Sequence, residues 1–303
     1  MARIEELFTK LDAGVAVLKK VKAQLKRYRQ AVLKYAFAGK LTEEWRENHK
    51  NKLEPAAVLL EQIKAERKKA AKGKYKELPP LDTSDLPEIP DGWVWTRVGE
   101  IMQTSNEKVN PLNIQPTRYI GLEHIEKDTG KLLSYGISDE VRSTKNRFHS
   151  GDLLYGKLRP YLNKICVPDF DGICSTDILV FSQSKYLFNK YVMFRLLRTD
   201  FVKYANQQVS GFQHPRVAFQ KISNFYIPLP SLPEQHQIVE EIERRFSITD
   251  EVEKIVEQSL KQAERLRMSS LKRAFEGKLV PQDPNDEPAE KLLERIKRRK
   301  EQT

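Results

Sequence analysis

Residues 142–164, RSTKNRFHSGDLLYGKLRPYLNK, set Arg142, Lys145, Arg147, Lys157, Arg159 and Lys164 against the single acid Asp152, with Phe148, Tyr155 and Tyr161 interleaved. Lysine and arginine neutralise phosphates, and arginine can fork onto guanine O6 and N7. Asparagine pairs with adenine in the same way, which makes Asn163 a candidate base reader. A solvated hairpin with Asp152 and the aromatics turned inward explains the same residues. That account suits the aromatics better and a DNA surface suits the cations better, with Tyr161 kept beside Arg159 as a candidate DNA contact. A second stretch, Gln207–Arg216, is too polar for a core and offers Gln213, His214 and Arg216. A third, Thr104–Lys108, offers Ser105, Asn106 and Lys108. Each is either an ordinary surface loop or a base-reading one.

Signatures of catalysis are missing. There is no phosphate-binding loop ending in Lys-Ser/Thr, no Gly-x-Gly-x-x-Gly after a strand and no Gly-x-Ser-x-Gly elbow. No Asn/Asp-Pro-Pro-Tyr run of the adenine methyltransferase kind occurs. Pro168-Asp169 resembles half of a nuclease pattern, but the following Glu-x-Lys, Glu276-Gly277-Lys278, belongs to a repeat whose other copy has Ala38 in place of the glutamate. The five histidines are scattered, and Cys166 and Cys174 form neither a Cys-x-x-Cys pair nor a metal-ligand spacing. No catalytic or metal site is expected.

The elements that must position these stretches show as an internal repeat. Residues 4–41 align without a gap to 242–279, with about 14 identities in roughly 38 positions. The match ends in Leu33-Lys34-x-Ala36-Phe37-x-Gly39-Lys40-Leu41 against Leu271-Lys272-x-Ala274-Phe275-x-Gly277-Lys278-Leu279. It resumes at Glu54-Pro55-Ala56 against Glu287-Pro288-Ala289. Each copy reads as a long helix, a turn and a short helix. Apolar residues in the first copy, Leu11, Leu18, Leu25 and Val32 among them, recur at alternating three and four spacing, a coiled-coil seam roughly 55 Å long. The second copy offers a looser seam through Val252, Val256 and Leu266. Glycines at 39 and 277 suit left-handed helix caps. The two long helices are expected to pair antiparallel within one chain, because a compact domain lies between them.

Residues 1–77 are thus a helical region, 78–92 a Pro-rich linker, 93–230 a compact domain of short β-type runs with one helix near 189–205, and 231–303 a second helical region. The fold class is α+β, with one domain inserted between the helices of an antiparallel coiled coil. The net charge of +11 favours an acidic partner, nucleic acid first. The N-terminus lacks a signal-peptide core and no apolar run approaches the length of a span, so the expected location is cytoplasmic.

Several segments resemble the specificity (S) subunits of type I restriction–modification systems. Leu86-Pro87-Glu88-Ile89-Pro90-Asp91-Gly92-Trp93 is similar to the opening of their target-recognition domains, and Leu158-Arg159-Pro160-Tyr161-Leu162-Asn163-Lys164 to a segment within them. Ile227–Val239, with Ser231-Leu232-Pro233-Glu234-Gln235, is similar to the junction into their conserved helix. The resemblance implies a short form with one recognition domain and two conserved helical regions. It implies a non-catalytic subunit that reads double-stranded DNA and docks two modification (methyltransferase) subunits. S-adenosylmethionine would then sit on the modification subunit, and ATP and Mg²⁺ on a restriction subunit where one joins. An antiparallel pair of similar copies has an approximate two-fold axis, so one chain is expected to hold two modification subunits. A homodimer through swapped helices is the rival arrangement. A stand-alone DNA-binding regulator and a coiled-coil assembly protein are the alternative functions.

Overall fold

Gly39 and Gly277 end the two long helices in the same way. Their φ angles are +70° and +69°, and each terminus closes with paired backbone bonds. Gly39 N–H donates to Ala36 O and Lys40 N–H to Tyr35 O, both at 3.0 Å; Gly277 N–H donates to Ala274 O at 3.1 Å and Lys278 N–H to Arg273 O at 2.8 Å. A side chain at Gly39 would also collide with the ring of Pro90. The sequence repeat is therefore a repeat of structure.

The computed structural model describes residues 2–70, 79–211, 213–281, 285 and 287–301. Its helices are α1 (Ala2–Phe37), α2 (Glu43–His49), α3 (Ala56–Ala70), α4 (Val98–Ile101), α5 (Asn189–Leu196), α6 (Thr199–Gln207), α7 (Phe219–Ile222), α8 (Leu232–Phe275) and α9 (Ala289–Glu301). Its strands are β1 (Val94–Arg97), β2 (Lys108–Val109), β3 (Arg118–Ile120), β4 (Gly136–Ile137), β5 (Lys145–Phe148), β6 (Leu153–Gly156), β7 (Ile165–Cys166), β8 (Gly172–Cys174), β9 (Ile178–Phe181) and β10 (Tyr226–Leu229). The chain falls into two compact units, one of Met1–Arg27 with Ile248–Thr303 and one of Tyr28–Ser247. The division cuts through both long helices. The ends of α1 and α8 nearest the strands thus belong with the strand-rich unit.

In the first unit α1 and α8 run antiparallel. Lys22 pairs with Glu257 at 2.6 Å, and ten residues back along α1 Asp12 pairs with Arg267, ten residues further along α8. Leu11, Leu18 and Leu25 are half-buried on the seam. Val256 is buried too, but Val252 and Leu266, also expected there, are exposed, Leu266 at 58%. The inward positions of α8 fall at Thr249, Glu253, Val256, Leu260, Ala263, Arg267 and Ser270. Alternating three and four spacing is kept, but most of these side chains are polar, so apolar residues alone pointed to a neighbouring register. The short helix α9 has no buried residue, and Leu292, Leu293 and Ile296 are exposed on it.

In the second unit the sheet β7-β6-β9 is the middle layer. Strand residues alternate between its faces. Leu153, Tyr155, Ile165 and Phe181 join a cluster with α5, α6 and the buried residues Val32, Leu33 and Phe37 of α1. Leu154, Cys166, Ile178 and Val180 join a second cluster with Ile120, Phe148 and Cys174 of the five-stranded sheet β2-β5-β8-β3-β4. Within that sheet β3 and β8 are parallel and the other pairs antiparallel. β1 and β10, the first and last strands, pair with each other from Val94↔Leu229 to Arg97↔Tyr226. The single helix expected near 189–205 is two. Gln30 of α1 donates to Leu197 O at 3.1 Å and accepts from Thr199 N–H at 3.0 Å, which satisfies the chain ends at the break.

The segments carrying the family resemblance meet in this unit. Glu234, 1% exposed, accepts from Trp93 Nε1–H at 2.8 Å, Thr42 Oγ1–H at 2.8 Å and Arg46 Nη1–H at 2.7 Å. Gln235 Oε1 accepts Phe188 N–H at 2.9 Å. These motif residues clasp the start of the inserted domain to its exit.

Candidate nucleic-acid interface

Backbone bonds draw the three polar stretches together. Lys157 N–H donates to Asp177 O at 2.9 Å, Val217 N–H to Lys157 O at 3.0 Å and Arg159 N–H to Pro215 O at 2.8 Å. Ser210 and Arg216 exchange both backbone bonds at 2.9 Å, and Ser105 N–H donates to Val180 O at 2.8 Å. An open groove of about 460 Å³ results, lined by Ser105, Asn106, Lys108, Asn146, Lys157, Thr176, Ser210, Arg216 and Gln220, with Phe219 and Val217 among its apolar walls. Lys108 and Lys157 make no ion pair among the described residues. The lining offers two free ammonium groups, a guanidinium, amides and hydroxyls. That set can bind phosphate and read base edges.

The expected site residues divide into three groups. Ser105, Asn106, Lys108, Lys157 and Arg216 line the groove. Arg159, Tyr161, Gln213 and His214 are exposed beside its backbone frame rather than in its lining. Arg159 takes the left-handed conformation, φ +52°, at the head of a 3₁₀ turn over Pro160–Leu162. A non-glycine residue there is strained, and strain held in place by surrounding bonds marks a built turn.

The third group lies outside the groove, and burial corrects the expectation for two of its members, Asn163 and Lys145. Asn163 is fully buried; its Nδ2–H donates to Leu196 O at 3.0 Å, and its φ of +42° closes the same turn. Asparagine stands there because it tolerates that backbone, not to read adenine. Lys145 is 7% exposed and its ammonium donates to Ser143 O and Oγ. Lys164 donates to Leu122 O at 2.6 Å. Arg147 pairs with Glu107 at 2.9 Å and faces a separate hollow of about 390 Å³ with Gln115, Thr117, His149 and Asp171. Strand alternation sends neighbours in the basic run to different faces. The inward account holds for Phe148, Tyr155 and Asp152, whose carboxylate accepts His149 N–H at 2.8 Å and Gln183 N–H at 2.9 Å. Sequence reasoning did not single out Asn146, which lies within the basic run, nor Thr176 or Gln220; all three side chains are neutral.

Burial pushes the Cys166 thiol up to about 12 and the Cys174 thiol higher still. Among the described residues no group of three His, Cys, Asp or Glu could hold a metal ion. No described helix is long and apolar enough to cross a membrane.

A strand-rich domain with a polar, basic groove is set in sequence between two helical repeats, and the groove's lining suits recognition of a polar, acidic surface. The model of the type I restriction modification DNA specificity domain matches residues 90–262, and the chain belongs to that family. It is 32% identical to the specificity subunit of the type I restriction enzyme EcoDI of Escherichia coli, over 97% of this chain and 65% of that protein. It is 27% identical to that of EcoAI, also of Escherichia coli, over 92% and 56%. The chain thus spans less than two thirds of the length of these relatives. A crystal structure of the HsdS subunit from Thermoanaerobacter tengcongensis matches with a TM-score of 0.50 and 28% identity, over 68% of this chain and 54% of that one.

Proposed function

We propose that this chain reads double-stranded DNA as the specificity subunit of a type I restriction–modification methyltransferase and endonuclease. The observation that carries the proposal is the convergence of three polar stretches, far apart in sequence, on one groove with unpaired lysines. A net charge of +11 supports it. The chain contributes recognition and no chemistry of its own, in the cytoplasm. S-adenosylmethionine belongs to the modification subunits, and ATP and Mg²⁺ to a restriction subunit where one joins. The helical regions dock two modification subunits. Exposed apolar residues of the first unit, Ile255, Leu266, Met268 and Phe275 among them, suit a protein partner.

Lys108→Ala and Lys157→Ala test the groove. Each is expected to weaken duplex binding for all sequences and to lower the salt slope by about one. Binding isotherms at several salt concentrations measure this, with melting temperature as the control for folding. Parent-like affinity and slope in both variants would falsify the assignment of the groove. Affinity capture from the native cell separates the alternatives: a recovered methyltransferase supports a specificity subunit, and tight specific binding without partners supports a regulator.

A further inference from the structure

Arg216 differs from the other cations of the groove because its side chain is already held. Nε–H donates to Asp177 Oδ1 at 3.0 Å and Nη2–H to Oδ2 at 3.3 Å. The carboxylate therefore occupies one edge of the planar guanidinium. The edge made by Nη1 and the outer N–H of Nη2 makes no hydrogen bond among the described residues. Both partners sit on one bonded frame. Arg216 exchanges backbone bonds with Ser210, and Asp177 O accepts from Lys157 N–H. Thr176 and Ile178, on either side of Asp177, line the groove with Arg216.

The side chains are 47% and 26% exposed, and such pairs add little to stability. What the pair removes is the freedom of a long side chain. A guanidinium fixed along one edge presents the other as a fork, the shape that meets guanine O6 and N7 together. We propose that Arg216 is a specificity-determining residue that reads a guanine, and that Asp177 is the positioning residue that aims it. The proposal rests on the groove being the DNA interface. It places a G·C pair in the target whose recognition depends on both side chains.

The test is selection of bound duplexes from a random-sequence library by the full chain, followed by sequencing, for the parent, Arg216→Lys and Asp177→Asn. Arg216→Lys keeps the charge and loses the fork; Asp177→Asn keeps the shape and loses the ionic hold. Both are expected to lose preference at the same G·C position, by between about 5-fold and about 150-fold, while other positions are kept. If Asp177 were only an acid near phosphates, Asp177→Asn would tighten binding to every sequence and shift no preference. That result overturns the proposal, as does an unchanged guanine preference in Arg216→Lys. A parent that enriches a site unaltered in both variants sinks this inference alone. A parent that enriches no sequence sinks the DNA-reading groove with it.

Discussion

Two residues of the Leu158–Lys164 motif show why chemical type is a poor guide to role. Arg159 and Asn163 both take left-handed backbone around one 3₁₀ turn, yet Arg159 is exposed and Asn163 is sealed. Asn163→Ala is expected to cost about 1–3 kcal/mol, because Leu196 O loses its donor and alanine fits that backbone poorly. Thermal melting should show the loss, and the folded fraction should bind DNA like the parent. A variant that melts normally but binds weakly would return Asn163 to the interface. The two cysteines lie on adjacent layers with their thiols raised by burial, Cys166 from 9.0 to about 12. A thiol pKa raised in the folded state supports stability below 9.0, and that support is lost as pH climbs toward 12. At pH 8 both thiols are expected to resist alkylation until the chain unfolds. Rapid labelling of native protein, followed by mass spectrometry, would contradict their burial.

At the scale of elements, the repeat was the most legible feature, because an ungapped match needs no knowledge of partners. Helix ends followed from glycine, and the strand-rich character of 93–230 from its short β-type runs. The register of α8 was not legible, since Thr249, Glu253, Arg267 and Ser270 occupy inward positions that apolar counting passes over. The groove was half legible. Charge and polarity located its three stretches, but which side chains of β5 and the following turn face outward depends on pairings between distant strands. The break between α5 and α6 depends on Gln30, far away in sequence. The observed register makes its own forecast. Val256→Ala is expected to lower the melting temperature by removing buried methyl groups, at about 1–3 kcal/mol, whereas Leu266→Ala should stay within about 0.5 kcal/mol. Equal losses in the two variants would mean that Leu266 shares the seam.

For the whole molecule, the two helical copies share Lys34/Lys272, Phe37/Phe275 and Leu41/Leu279, but their exposure differs. Phe37 is 4% exposed in the second unit and Phe275 90% exposed in the first. One chain is expected to bind two modification subunits, and native mass spectrometry of the co-expressed complex measures the ratio. Two copies of this chain with two methyltransferases would overturn that stoichiometry in favour of a dimer. The pairing of β1 with β10, closed by Glu234 across Trp93, Thr42 and Arg46, has a consequence for ancestry. The strand-rich domain leaves the flanking helices at the place where it arrives. A cut on either side of that clasp frees one contiguous stretch of chain, and another domain with neighbouring termini could take its place without respacing the helices around it. Under the proposed function, exchange of that stretch between related genes, with a crossover on each side, would give the descendant a new address on DNA while the flanking helices are kept.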